Sequence, residues 1–194
     1  RLVHPRNLTG RRWSNRHLPH DGAMMLRVLL LTLTLFSSLG FAASPVVLQR
    51  PISLDTGSGE LFGSLLLPKS DKPVPVVLII AGSGPTDRNG NSADGARNDS
   101  LKRLAWVLAR NNIASVRYDK RGVAASLAAT PDERNLTLEA YVADAVAWGK
   151  LLKADTRMGP LIVLGHSEGA LVAALAAPQL DPAGVISLSG SARP

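Results

Sequence analysis

Hydrophobic positions from Ser44 onward come in two alternating kinds: short runs of branched aliphatics, and longer stretches in which apolar residues recur every three or four positions. That alternation predicts an α/β fold, a mostly parallel sheet with helices on both faces. Val46 to Leu54 and Leu61 to Leu67 read as an antiparallel pair around the turn Asp55-Thr56-Gly57-Ser58-Gly59. Pro68, Pro73 and Pro75 then mark a loop, and Val76 to Ile80 is a continuous apolar run of the kind buried on both faces of a parallel sheet. Asp99 or Ser100 is placed to cap a helix carrying Leu101, Leu104, Ala105, Val107 and Leu108, which Asn111-Asn112 ends. Ile113 to Tyr118 is the next strand. Thr137 caps a longer helix that ends near Asp155, with Ala140, Tyr141, Ala143, Ala147 and Leu151 turned toward the sheet. Leu161 to Leu164 is a further buried strand, Glu168 to Ala177 a helix stopped by Pro178, and Gly184 to Leu188 a last strand. Tyr118, Trp106 and Trp148 are expected in or against the core.

Composition narrows the chemistry. The 194 residues, 45% hydrophobic and 19% charged, suit one globular domain, and the absence of cysteine excludes disulfides, thiolate metal sites and a cysteine nucleophile. A nucleophile must be an oxygen or a lysine. The net charge of +7 raises the question of nucleic acid, but residues 1–42 hold six of the 22 basic residues and one of the 15 acidic ones. The remainder is close to neutral and has no basic stripe with interleaved aromatics, so no nucleic-acid partner is expected.

Read from Met24, the leader has a short positive start, an apolar run from Val28 to Phe36, and small residues through Ala43. It has the form of a secretory signal peptide cleaved after Ala42 or Ala43, which implies an exported protein, periplasmic or secreted. An uncleaved anchor is the competing reading, although the run is shorter than the roughly 20 residues a spanning helix needs. No membrane span is expected after cleavage. Residues 1–23, rich in arginine and without periodicity, are expected to be an upstream or disordered extension, a basic arm being the alternative. Residues 44–194 then form the folded unit.

Its chemistry centres on Gly165-His166-Ser167-Glu168-Gly169, a G-x-S-x-G sequence directly after a buried strand and directly before a helix. A strand-to-helix turn that lifts a serine above the sheet has a cramped backbone, and glycines two residues either side avoid collision there. The helix that follows directs its first amides and positive dipole end toward negative charge at the serine. Ala81-Gly82-Ser83-Gly84-Pro85 follows the third strand, and Asp119-Lys120-Arg121-Gly122 the fourth. Asp87, Arg88, Asp119 and Arg121 read as loop-holding ion pairs before substrate-binding charges.

Gly165 to Gly169 resembles the nucleophile elbow of the α/β-hydrolase family. Gly82-Ser83-Gly84-Pro85 resembles that family's His-Gly-x-Gly-Pro oxyanion turn, with Ala81 in place of the histidine. Thr86 to Asn91 extends it as in bacterial secreted members of the serine aminopeptidase and esterase kind. Asp119 to Gly122 resembles the family's Asp-x-Arg-Gly turn, without the second glycine often found after it, so the loop from Gly122 to Ser126 is expected to differ. The resemblance implies Ser167 as nucleophile, the backbone amides of Ser83 and Glu168 as oxyanion donors, and Gly82 and Gly84 as glycines that admit substrate to the backbone. It implies a small-molecule acyl substrate and no metal or cofactor.

One group needed for that chemistry is not found. The sole histidine after residue 20 is His166, beside Ser167 and badly placed to be its base. Two explanations stand: residues 44–194 are the N-terminal part of a longer hydrolase whose acid and histidine follow, or the chain is a non-catalytic binding module of the same fold. The expected function is a serine hydrolase cleaving a carboxylic ester or related acyl compound through an acyl-enzyme, the binding module being the alternative.

Overall fold

Among the described residues six strands, numbered β1 to β6 along the chain with the bounds given below, form one sheet in the order β1-β2-β4-β3-β5-β6. A computed structural model describes residues 45–191 apart from 94, 96, 131, 133 and 135. The expected leader at 24–43 and the extension before it lie outside the described residues. β1 (Val47–Asp55) and β2 (Glu60–Pro68) are the anticipated antiparallel hairpin, joined through the Asp55 to Gly59 turn. β2 runs antiparallel to β4 (Ala114–Tyr118), whereas β3 (Val74–Ile80), β4, β5 (Met158–His166) and β6 (Gly184–Leu188) are mutually parallel.

Alternation along β3 divides the core. Val76, Leu78 and Ile80 face one cluster, filled by α2 (Leu138–Ala154) and α3 (Glu168–Leu180); Val77, Ile79 and Ala81 face the other, covered by α1 (Ser100–Arg110). Helices therefore lie on both faces of a mostly parallel sheet, as the apolar runs require. Among the described residues no helix is long and apolar enough to cross a membrane.

Three helix details differ from expectation. In α1, Val107 is 55% exposed, and Leu101, Ala105 and Ala109 make the buried stripe. In α2 the inward face is Asp144, Ala145, Trp148, Gly149 and Leu152, while Ala143 and Leu151 face solvent. The reason is tertiary. Trp148 lies 5.4 Å from Tyr118 between ring centroids, and Arg121 draws the Asp144 carboxylate inward. A Cβ at Gly149 would stand 2.5 Å from Leu180 Cδ2, so the bare glycine leaves the room that this leucine of α3 fills. Finally, α3 runs past Pro178 to Leu180. Leu180 is buried, and Lys153 Nζ donates to its carbonyl at 2.7 Å, which supports a last turn that proline would otherwise end.

Strand ends place the site. The C-terminal ends of β3, β4, β5 and β6 fall at the same sheet edge, with Ile80 opposite Gly165 and His166 opposite Leu188. β3 is flanked by β4 on one side and β5 on the other, so the chain reverses its direction of travel across the sheet there. Crevices at such reversals are where open α/β sheets bind ligands.

Candidate active site

Ser167 sits between β5 and α3 with φ 53° and ψ −120°, a conformation that non-glycine residues rarely hold. The surroundings enforce it. Its amide donates to the Leu188 carbonyl at the end of β6 at 2.8 Å, and its carbonyl accepts from Ala170 N at 2.9 Å in the first turn of α3. Gly165 and Gly169 touch so closely that a Cβ on Gly165 would come 2.0 Å from the Gly169 oxygen. Ser167 and Glu168 line an open cavity of about 820 Å³ with Leu171, Val185 and Ser189.

The turn after β3 lies against the same serine. A Cβ on Gly82 would stand 3.2 Å from Ser167 Cβ and 3.1 Å from His166 Nδ1, so the bare glycine lets the two turns meet. Ser83 and Gly84 are exposed just beyond. Ala81, which stands where the resembling turn of the family carries a histidine, is buried in the cluster under α1 with Leu101 and Ala105. The structure thus brings Gly82, Ser167, Glu168 and the paired glycines together, with Ser83 the next residue along. His166 is exposed, with its ring edge toward Gly82.

Charged residues around the site are mostly braces. Asp119 accepts from the Arg88 amide at 2.7 Å, from Arg88 Nη2 at 2.8 Å and from the Ala125 amide at 3.1 Å, tying the loop after β3 to the loop after β4. Arg121 reaches the other way, forming a bidentate pair with Asp144 and bonds to Ser58 Oγ and the Ala129 carbonyl. The carboxylate beside it holds the Arg121 guanidinium above its ordinary range. Asp87 caps its own turn through the amides of Asn89 and Asn91.

The loop after Gly122 contains a 3-10 stretch, Ala124–Ala129, that the apolar pattern did not predict. Ala124 lies in the stretch that lacks the second glycine of the resembling turn, and it holds a left-handed backbone, φ 46°. Such a residue carries strain of about 1 kcal/mol that glycine does not. Ala124→Gly should therefore raise stability by about 1 kcal/mol, less the extra chain entropy of glycine. A thermal melt of the purified protein checks this; a lowered midpoint would contradict it.

Lys120 was not singled out by the sequence reading. It is 3% exposed, donates to the Gly82 carbonyl at 2.5 Å, lies 3.4 Å from Glu168 Oε2 and sits 5.2 Å from the centre of the Tyr141 ring. Burial pushes its ammonium below the usual lysine range, while Glu168 opposes that shift. The signal was available: a lysine two residues after a buried strand, at the edge where the elbow must also lie.

Comparison with known proteins bears on the family and the fold. The family model described as serine aminopeptidase, S33, matches residues 97–193. Esterase EstD of Thermotoga maritima is 33% identical over 135 residues, covering 69% of this chain and 31% of its own length. Among solved structures, a lidless α/β serine hydrolase from Xanthomonas campestris superposes with a TM-score of 0.53 at 26% identity, over 76% of this chain and 62% of that one. A dienelactone hydrolase from Anabaena variabilis gives 0.59 at 19% identity, over 74% of this chain and 64% of that one, and speaks for the fold alone. The chain spans about a third of the length of the curated relative it matches.

Proposed function

From a chain that belongs to the α/β-hydrolase family, and matches its serine aminopeptidase S33 model, we propose a serine hydrolase acting on small acyl compounds, carboxylic esters first. The observation that carries this reading is the strained backbone at Ser167, with φ 53° at a strand-to-helix turn beside Gly82. Strain of this kind is kept where a group must be presented rather than packed. In the proposed reaction the Ser167 hydroxyl attacks the acyl carbon, its proton passes to a base, and the carbonyl oxygen becomes an anion. The amides of Ser83 and Glu168 stabilise that anion, with the first turn of α3 adding its positive end. Collapse expels the alcohol, and water then releases the acid from the acyl-enzyme.

The resemblance implies a histidine base, and His166, the one histidine among the described residues, is badly placed for it. His166 adjoins the nucleophile in sequence, and its ring edge is turned toward Gly82. The leader at 24–43 makes the working location periplasmic or extracellular in this proposal. EstD carries the name of an esterase, which favours esters among the acyl classes.

The test is a fluorophosphonate probe applied to the natural protein from its own cells, followed by peptide mapping. Modification at Ser167 is the expected result. A protein that is folded, yet unlabelled at Ser167, overturns the nucleophile assignment and favours the binding-module alternative.

A further inference from the structure

Lys120 makes two polar contacts that belong to different parts of the site: one to the Gly82 carbonyl in the turn after β3, the other to the Glu168 carboxylate at the start of α3. Gly82 and Ser83 share a peptide unit, and no peptide among the described residues is cis. In a trans unit the carbonyl and the following amide point in opposite directions. A cation held on the Gly82 oxygen therefore fixes the plane in which the Ser83 amide points away from it. It also polarises the unit, making that amide a stronger donor.

The geometry points to Lys120 as a positioning residue that sets both oxyanion donors at once: the Ser83 amide through the Gly82 carbonyl, and the Glu168 amide through its own side chain. This rests on the reading of Ser167 as nucleophile and of those two amides as the oxyanion hole. The surroundings suit a fixed role. Lys120 is 3% exposed, with the Tyr141 ring 5.2 Å from its ammonium, so few other orientations are open to it. Asp119 and Arg121, its neighbours in sequence, are fully engaged with Arg88 and Asp144 and anchor the turn from which it projects. A structural lysine would serve as well on any carbonyl of the loop; this one takes the carbonyl conjugated to the proposed donor.

The experiment compares the natural full-length protein with Lys120→Met, using p-nitrophenyl acetate as substrate and an alkyl trifluoromethyl ketone, which forms a tetrahedral oxyanion on the serine, as inhibitor. Because the oxyanion exists only after attack, kcat should fall on the order of 10- to 100-fold with KM nearly unchanged. The ketone's Ki should rise by the same factor. A kcat and Ki within two-fold of the parent, whatever the change in melting temperature, would reduce Lys120 to scaffold and overturn the proposal. A loss as deep as that of a serine-less enzyme, with fluorophosphonate labelling abolished, would overturn it differently, by making Lys120 the base.

Should the methionine variant not fold, Lys120→Gln keeps a donor for the Gly82 carbonyl without the charge, and a smaller kcat loss with matching Ki is then expected. Equal kcat in that variant again overturns the role. Failure of the underlying reading is separate and visible in the parent: Ser167 there would take no phosphonate label.

Discussion

Ser167→Ala should lower ester turnover by the intact protein a hundred thousand- to a million-fold, the order of loss seen when a nucleophile that acts with its base is removed. The chemistry leaves no substitute. A methyl group cannot form the acyl-enzyme, and what survives is attack by water on a substrate held near the donors. The backbone, by contrast, should hardly notice. Serine and alanine pay the same steric penalty at φ 53°, and the contacts that hold this turn are main-chain bonds: Ser167 N to Leu188 O at 2.8 Å and Ala170 N to Ser167 O at 2.9 Å. Melting temperature should thus stay within a degree or two of the parent, equivalent to less than about 0.5 kcal/mol. Turnover measured beside a thermal melt checks both halves. Retained turnover, with the fold intact, would move the nucleophile elsewhere.

Local pattern was a good guide wherever one physical effect dominated. The run Val76 to Ile80 is buried on both faces in β3, and Gly184–Leu188 is a strand with the bounds its sequence suggested. Thr137 caps α2 by accepting from the Ala140 amide. The elbow and the turn after β3 were legible for the same reason, since glycines at fixed spacing report a steric need. The inward face of α2 was not legible, because a binary pattern places Asp144 outside and Leu151 inside. Its partner Arg121 is 23 residues away, and only the meeting of β4 with α2 brings up the guanidinium that pairs with an inward aspartate. Pro178 misled for a similar reason: Lys153, on another helix, supplies the bond to the last turn of α3.

The role proposed for Lys120 shows the same division. Its position in the sequence told where it would emerge, at the edge shared by β3, β4 and β5. Which atoms it would meet depended on the crossing of the chain at β3, which sets the turn after that strand against the elbow. Only there does one ammonium reach both the Gly82 carbonyl and the Glu168 carboxylate.

Gly165→Ala is expected to be the most damaging single-methyl substitution at the site, destabilising the protein by more than about 4 kcal/mol. The new Cβ would stand 2.0 Å from the Gly169 oxygen, 2.2 Å from the Gly169 carbonyl carbon and 2.4 Å from the Ala170 nitrogen, all of them main-chain atoms. Relief would require α3 to move away from β5. That path is closed on the next side, because Gly169 itself packs on β3: its own missing Cβ would lie 2.5 Å from the Ile80 oxygen and 2.6 Å from the Ala81 oxygen. Strand, helix and strand are thus stacked with no side chain between them, and overpacking against backbone has no rotamer to absorb it. Gly184→Ala is the matched control, since a Cβ there meets nothing within 4 Å, and its effect should be below about 0.5 kcal/mol. Denaturant unfolding of the two variants beside the parent gives the comparison. A Gly165→Ala protein as stable as Gly184→Ala would mean that the elbow can open. The close stacking would then not be what holds Ser167 in its strained conformation, and the backbone argument for its role would lose its support.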